Sequence, residues 1–338
     1  MTLAIIPFDD EHLPAAAELL ATREHARAAA SPPTPFCLDD VDEARAAIAA
    51  LRTSPDATAV VALDGGRLNG YMIGAARLPD PLGGESMFTR PRSASIDENG
   101  YAAAPDVAFD AYRAMYAALA AGWTARGYLA HYAGALSSQG EAVRAWRSLG
   151  FGRAMVRGLR DLSPVDLVPG SARAEVHRAG DEDLDVLFRL MVANLRFHSG
   201  PPVFQPYLPE TETHERDEER RQLANPANAR FIAYREGEPV AIQTYFAAID
   251  RPGRRLRTVH LQHGFTHRAE RGAGLAASML DQTLAWAREQ GFEGCTVNWL
   301  SANLLGARFW QSHGFRPFSE RLCRVVDERL TWARQGNK

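Results

Sequence analysis

Cysteine is scarce in this chain, with three among 338 residues. Cys37, Cys295 and Cys323 are far apart and form no CxxC or CxxH spacing. The sequence therefore predicts neither a zinc site nor a disulfide framework, and no bound metal is expected. A reducing cytoplasm fits this composition, and we expect a cytoplasmic protein.

Long apolar runs and an excess of basic residues are also lacking. No window approaches 18 uninterrupted apolar residues, and the first residues do not combine a basic segment with an apolar one. We therefore expect no membrane span and no export signal. The 38 basic and 41 acidic residues give a formal net charge of −3, which argues against a nucleic-acid partner.

An internal repeat divides the chain. A length of 338 residues already favours two domains. One constant, ungapped offset aligns the end of the first half with the end of the second, pairing Gly127 with Gly291, Ser137 with Ser301, Trp146 with Trp310 and Phe151 with Phe315. A second offset pairs the segment before Leu13 with the segment before Leu184. The halves are predicted to be duplicated units.

We expect domains at residues 1–162 and 174–338, joined by a linker at 163–173 that contains prolines, a glycine and serines. The pattern of the second half predicts a mixed α/β fold with one βαβ crossover. The predicted strands are 174–178, 230–234, 240–248, 258–266, 294–300 and a last one from 315, and the predicted helices are 184–197, 215–223, 274–290 and 304–312.

A glycine-rich loop at the start of a helix is the most informative segment. It reads Arg271-Gly-Ala-Gly-Leu-Ala276 and joins the strand ending near Thr266 to the next helix. Backbone N–H groups at a helix N-terminus attract an anion, and glycines let a phosphate approach closely. Taken alone, the loop is equally compatible with an ordinary turn. It lacks the Lys-Ser/Thr of a Walker A loop and the third glycine of a dinucleotide fingerprint.

The pattern Arg-x-x-Gly-x-Ala at a strand–helix junction resembles the pyrophosphate loop of GNAT acetyltransferases. A second segment, Asn303 to Phe315, is similar to the downstream motif of that family. The resemblance implies two tandem GNAT-like folds, with acetyl-CoA as the acyl donor. The cofactor contacts that it implies are Phe265, Thr266, Arg271, Gly272, Ala273, Gly274, Leu275, Ala276, Asn303, Phe309 and Trp310.

Asn303 and Trp310 of the downstream motif bear on the mechanism. Asn303 is expected either to contact the pantetheine arm or to cap the helix, and the two roles are compatible. Trp310 replaces the tyrosine that the family uses as a general acid, and an indole N–H is no acid at physiological pH. The proton for the departing thiolate must then come from water or from another residue.

The first half lacks the loop. The repeat places Val107 to Tyr112 opposite the glycine loop, with Asp110 at the second glycine. A carboxylate would repel a pyrophosphate, so we expect this half to be a degenerate GNAT-like domain. The tandem arrangement is similar to that of mycothiol synthase and other two-domain GNAT enzymes.

His260 and His263 are the candidate general bases, because histidine titrates near neutral pH. A structural role for either is the main alternative. Strand alternation predicts that the two histidines lie on opposite faces. Residues 197–207 and 210–219 lie where the family shapes its acceptor pocket, although the alternating charges of Glu215 to Arg221 favour a solvated helix face.

The sequence thus predicts a GNAT N-acetyltransferase that moves an acetyl group to a primary amine of a small molecule. In this family the amine attacks directly in a ternary complex. Transfer of another acyl group and a protein or peptide acceptor both remain open, as does a non-catalytic acyl-CoA sensor or scaffold. The protein is expected to be a monomer or a homodimer.

Overall fold

The computed structural model describes residues 3–31, 33–170, 175–248 and 251–333 of the chain. Both halves follow one order of elements, with an additional short strand in the first half. The first half contains β1 (Ala4–Pro7), α1 (Leu13–Ala30), α2 (Val41–Arg52), β2 (Ala57–Asp64), β3 (Arg67–Arg77), β4 (Ser93–Ile96), β5 (Tyr101–Ala103), α3 (Ala108–Ala125), β6 (Ala130–Leu136), α4 (Gly140–Ser148) and β7 (Gly152–Asp161).

The second half repeats this series and ends in a short helix. Its elements are β8 (Glu175–Arg178), α5 (Leu184–Ser199), α6 (Glu212–Leu223), β9 (Ala229–Arg235), β10 (Glu238–Ala247), β11 (Thr258–Thr266), α7 (Leu275–Glu289), β12 (Gly294–Leu300), α8 (Leu304–Ser312), β13 (Arg316–Val325) and α9 (Arg329–Ala333). These bounds agree with the predicted ones to within a few residues. Ala174, and the part of the predicted linker beyond Gly170, lie outside the described residues.

The described strands form one continuous mixed sheet. Their order is β1-β2-β3-β4-β6-β13-β7-β12-β11-β10-β9-β8, and β5 pairs with β3. The closing strand of each half therefore lies against the other half. β13 pairs with β6 of the first half, and β7 pairs with β12 of the second half. The predicted boundary at residue 162 lies directly after β7, and the sheet continues across it because strands of the two halves pair with each other.

Close packing at this exchange depends on a glycine. Gly158 on β7 lies opposite Val297 on β12. A Cβ atom at Gly158 would lie 2.5 Å from Cζ3 of Trp299, whose ring covers the glycine backbone. Trp299 and the neighbouring Val156 belong to the core cluster of the second half. The first half thus contributes directly to the core of the second.

Helices cover both faces of the sheet. On one face α1 and α2 pack on the first half, and α5 packs on the second. On the opposite face α3 and α4 pack on the first half, and α7 and α8 on the second. We call the side that carries α1, α2 and α5 the front face. Among the described residues, no helix is both long and apolar enough to cross a membrane.

The exchange predicts opposite effects of two glycine-to-alanine changes. Gly158→Ala must displace Trp299 and should lower the free energy of unfolding by about 1–3 kcal/mol. Gly122→Ala, inside α3 with open space around its Cβ position, should raise it by up to about 1 kcal/mol through helix propensity. Urea denaturation of both variants measures these effects. A neutral Gly158→Ala would contradict the packing of β7 on β12.

Candidate active site

The glycine loop between β11 and α7 has a backbone that only glycine adopts readily. Gly272 and Gly274 have φ values of +87° and +85°, in the left-handed region. Gly274 is the residue immediately before α7. The two glycines turn the chain sharply into the helix, so that the loop wraps around the helix N-terminus.

Hydrogen-bond donors are left free at this turn. Among the described residues, no backbone carbonyl accepts a hydrogen bond from the N–H groups of residues 272–277. The first backbone hydrogen bond of α7 runs from the N–H of Ser278 to the carbonyl of Gly274. These donors point their partial positive charge at one place, together with the α7 dipole. The loop geometry therefore suits a bound pyrophosphate.

Arg271 adds a full positive charge beside these donors. Its Nε donates to the carbonyl of Thr266 at 2.9 Å, and its guanidinium lies over the Phe197 ring at 4.5 Å. Burial lowers the pKa of Arg271, and the charge of Arg268 adds to this effect. A cation held in place without a carboxylate partner among the described residues is suited to bind an anionic ligand.

A slot opens between β11 and β12 next to the loop. The two parallel strands pair from Thr258 and Gly294 only as far as Leu261 and Val297, although both continue beyond. Trp310 of α8 forms one wall of the slot, since a Cβ atom at Gly264 would lie 3.0 Å from its ring. The separated strand edges offer backbone groups to an extended ligand.

A β-bulge changes which side chains of β11 share a face. Thr244 pairs with His263 and Tyr245 with Leu261, which leaves Gln262 without a partner on β10. The extra residue reverses the alternation of the strand. The prediction that His260 and His263 lie on opposite faces is therefore wrong, because both histidines lie on the front face.

The two histidines have different partners. Nδ1 of His263 lies 3.1 Å from Oγ1 of Thr244, and this oxygen also accepts the backbone N–H of His263. The Thr244 hydroxyl therefore holds the ring of His263 in place through Nδ1 and leaves its Nε2 for other partners. His260 places Nδ1 2.9 Å from Oγ1 of Thr296. Burial lowers the pKa of each histidine to about 4.

One cavity of about 940 Å³ connects the loop, the slot and the front face. Most of the residues predicted to bind the cofactor line it, as does His263, but His260 and Ala273 do not. Asn303 caps α8 by accepting the N–H of Gly306 at 3.0 Å, and its amide lies 3.1 Å from Nε2 of His198. The structure thus gives Asn303 the capping role and also places it at the cavity wall.

Comparison with known proteins agrees with this geometry. Residues 198–315, which include the loop, the slot and α8, match the family model described as the acetyltransferase (GNAT) family.

Residues 198–315 belong to the GNAT acetyltransferase family.

Solved structures extend the likeness to the whole chain. A GCN5-related N-acetyltransferase from Sphaerobacter thermophilus aligns with a TM-score of 0.55 at 15% identity, covering 96% of this chain and 95% of that one. A tandem GNAT protein from the clavulanic acid biosynthesis pathway aligns with a TM-score of 0.53 at 15% identity, covering 96% and 99%. At such identities the likeness shows the fold, which is a tandem GNAT fold. No curated protein matches the sequence.

The front part of the cavity contains polar residues that the sequence analysis did not predict as site residues. Asn298 of β12 lies opposite Arg157 of β7, and Arg157 forms an ion pair of 3.1 Å with Glu98. The adjacent Asp97 also lines the cavity, and burial together with the charge of Glu98 raises its pKa to about 6. Three of these four residues belong to the first half of the chain.

Residues 197–219 contribute less to the cavity than their composition indicated. Phe197 and His198 at the end of α5 and Gln205 in the following loop line the cavity. The acidic residues of α6 do not, and the buried Glu219 pairs with Arg230 at 2.8 Å. The charged helix α6 therefore contributes no acidic side chain to the cavity.

The first half has no equivalent of the GNAT loop. After β4 its chain turns at residues 97–100 and returns as β5 along β3. Tyr112 of α3 is buried and packs edge-on against Tyr101 at 5.1 Å. Asp110 is exposed and lies 3.5 Å from Arg113. The segment that leads into α3 contains no glycine, and the helix begins with aromatic side chains and a carboxylate.

The lowered histidine pKa values predict acid sensitivity of the GNAT domain. An unfolded histidine takes up a proton near pH 6.5, whereas His263 in the folded protein does so only near pH 4. The unfolded state therefore binds more protons between these values, and stability is lost as the pH falls below 6.5. His263→Gln should lose about 2 kcal/mol less than wild type between pH 7 and pH 5, measured by urea unfolding. Equal losses would contradict the assigned environment of His263.

Proposed function

We propose that this protein transfers an acetyl group from acetyl-CoA to a primary amine of a small molecule, by direct attack in a ternary complex. The observation that carries the proposal is the glycine loop, which presents free N–H donors and Arg271 to a cavity shared by both halves. The first half has no such loop, so the proposal places one acyl-donor site in each chain.

The residues present fit acetyl-CoA as the donor. The N–H groups of residues 272–277 and the α7 dipole would hold the pyrophosphate. The separated edges of β11 and β12 would hold the pantetheine arm, with Trp310 and Phe309 beside it. When bound, acetyl-CoA supplies the thioester that the amine attacks. Because the loop would contact only the pyrophosphate, it does not select the length of the acyl chain, which an assay with different acyl-CoA donors would measure.

The position of the cavity supports a small acceptor. Strands and loops of both halves line it, whereas a peptide acceptor would need a long open groove. The loop after β3 contributes Glu85, Phe88 and Thr89 to its wall. Arg321 of β13 holds this loop by bonds to the Phe88 carbonyl and the Thr89 hydroxyl.

The two histidines differ in their suitability as the base. His263 lines the cavity and is held through Nδ1 by Thr244, so its Nε2 can contact the acceptor directly. His260 bonds through Nδ1 to Thr296 and does not line the cavity, so it would act through a water molecule. Trp310 lies in the wall of the slot and offers no acidic proton, so the thiolate would be protonated by water.

A charge placed in the loop tests the donor site. Gly274→Asp combines a strained left-handed backbone with a carboxylate beside the pyrophosphate, and it should abolish binding of acetyl-CoA in calorimetric titration. The matched control is Gly66→Asp, with φ of +85° and open space at the turn between β2 and β3 of the first half. It should bind like wild type, at one site per chain. Equal binding by Gly274→Asp would contradict the donor site.

Thiol release separates catalysis from sensing. Wild type with acetyl-CoA and a panel of small amines should release free CoA with at least one amine, and mass spectrometry should find the N-acetyl product. Tight binding of acetyl-CoA without turnover on any amine would favour the acyl-CoA sensor. Turnover only on peptide N-termini would favour the peptide acceptor.

A further inference from the structure

Three polar side chains form a row across the middle of the front face. Asn298 of β12 lies opposite Arg157 of β7, and Arg157 lies opposite Ser319 of β13. Paired residues face the same side of a sheet, and all three line the cavity. The row lies where the two halves exchange their closing strands. It lies on the same face of the sheet as the neighbouring pair His260 and Thr296.

Arg157 presents unused hydrogen-bond donors to the cavity. One N–H, on Nη1, donates to Oε1 of Glu98 at 3.1 Å, and no other protein acceptor contacts the guanidinium in the described part of the chain. The Arg157 side chain is 40% exposed, while that of Glu98 is 13% exposed. Glu98 therefore orients a guanidinium whose remaining N–H groups face the cavity. A guanidinium with a free edge matches the two oxygens of a carboxylate.

Asn298 presents the complementary group. Its Oδ1 atom is buried and has no hydrogen-bond partner among the described residues. A buried carbonyl oxygen left without a donor is costly, so rotation of the Asn298 side chain toward a ligand N–H in the cavity is favourable. The Cα atoms of directly opposed residues on antiparallel strands are about 4.5–5.5 Å apart, so one small ligand can reach both side chains.

We propose that the acceptor is an amino carboxylate, whose carboxylate binds Arg157 and whose amine donates to Asn298 Oδ1. This inference rests on the proposed function and specifies its acceptor. Glu98 holds the guanidinium in place, and Arg157 and Asn298 are substrate-binding residues. The first half of the chain, through β7 and the turn after β4, thereby selects the acceptor of the GNAT domain.

A competing acceptor chemistry follows from the acidic residues nearby. Asp97 and Glu98 lie beside Arg157, and a second ammonium group on the acceptor would contact Asp97. The row favours the amino carboxylate, because Arg157 has free donors and Asn298 has a free acceptor at opposed positions. The two chemistries predict different substrates and are separated by assay.

The first measurement compares acceptors with wild-type protein. Amino carboxylates, with the amine on the α carbon or at the chain end, are each assayed beside the carboxamide with the same amine and beside a diamine of equal length. The value of kcat/KM for the best amino carboxylate should exceed that of its carboxamide by roughly ten- to hundredfold, the worth of a charge-assisted pair. A preference for carboxamides or diamines would overturn the proposal.

The second measurement uses Arg157→Gln with Arg153→Gln as the matched control. Arg153 lies on the same strand, contacts Glu320 at 3.3 Å and does not line the cavity. Arg157→Gln should raise KM for the amino carboxylate roughly ten- to hundredfold and that for its carboxamide much less, and Arg153→Gln should change neither. An equal loss on both acceptors, or weaker acetyl-CoA binding by Arg157→Gln, would contradict the assigned role.

Calorimetry separates this inference from the function on which it rests. The amino carboxylate and its carboxamide are titrated into wild-type protein saturated with CoA, which needs no turnover. Tighter binding of the amino carboxylate supports the inference, and equal binding overturns it. Failure of acetyl-CoA itself to bind would instead defeat the proposed function.

Discussion

The exchange of closing strands is the constraint on which the rest of this structure depends. Because β13 pairs with β6 and β7 pairs with β12, neither half completes its sheet with its own last strand. The exchange makes one sheet of two repeats and brings Arg157 of the first half next to Asn298 of the second. A cavity that belongs to both halves follows directly from this pairing.

Within this frame the two repeats have diverged at one junction. In the second half, glycines with positive φ lead β11 into α7 and leave N–H donors free. In the first half, the chain between β4 and α3 makes an additional turn and strand, and Glu98 lies over Gly134. Gly134 is the repeat counterpart of Asn298. The first half thus has a carboxylate where the second has an open slot, and it serves as a wall of the cavity.

The sequence predicted those features that depend on neighbouring residues. The helices and strands of the second half and the glycine loop follow from local periodicity and turn chemistry, and the repeat follows from direct comparison of the two halves. The bulge at Gln262 was missed, because it depends on pairing with β10, and it reversed the predicted faces of His260 and His263.

The strand exchange and the polar row were missed for a related reason. Arg157 and Glu98 are single charged residues in ordinary strand and turn sequences. Only pairing between strands that are far apart in the sequence brings them to the site, and local sequence patterns do not predict such pairing.

The central claim is that the first half completes the acyl-transfer site of the second. Production of residues 1–170 and 171–338 as separate chains tests it directly, with acetyl-CoA binding measured for each piece and for their mixture. The account predicts that neither piece binds with the affinity of the intact chain and that mixing restores one site per pair. Intact affinity in the isolated second piece would contradict it.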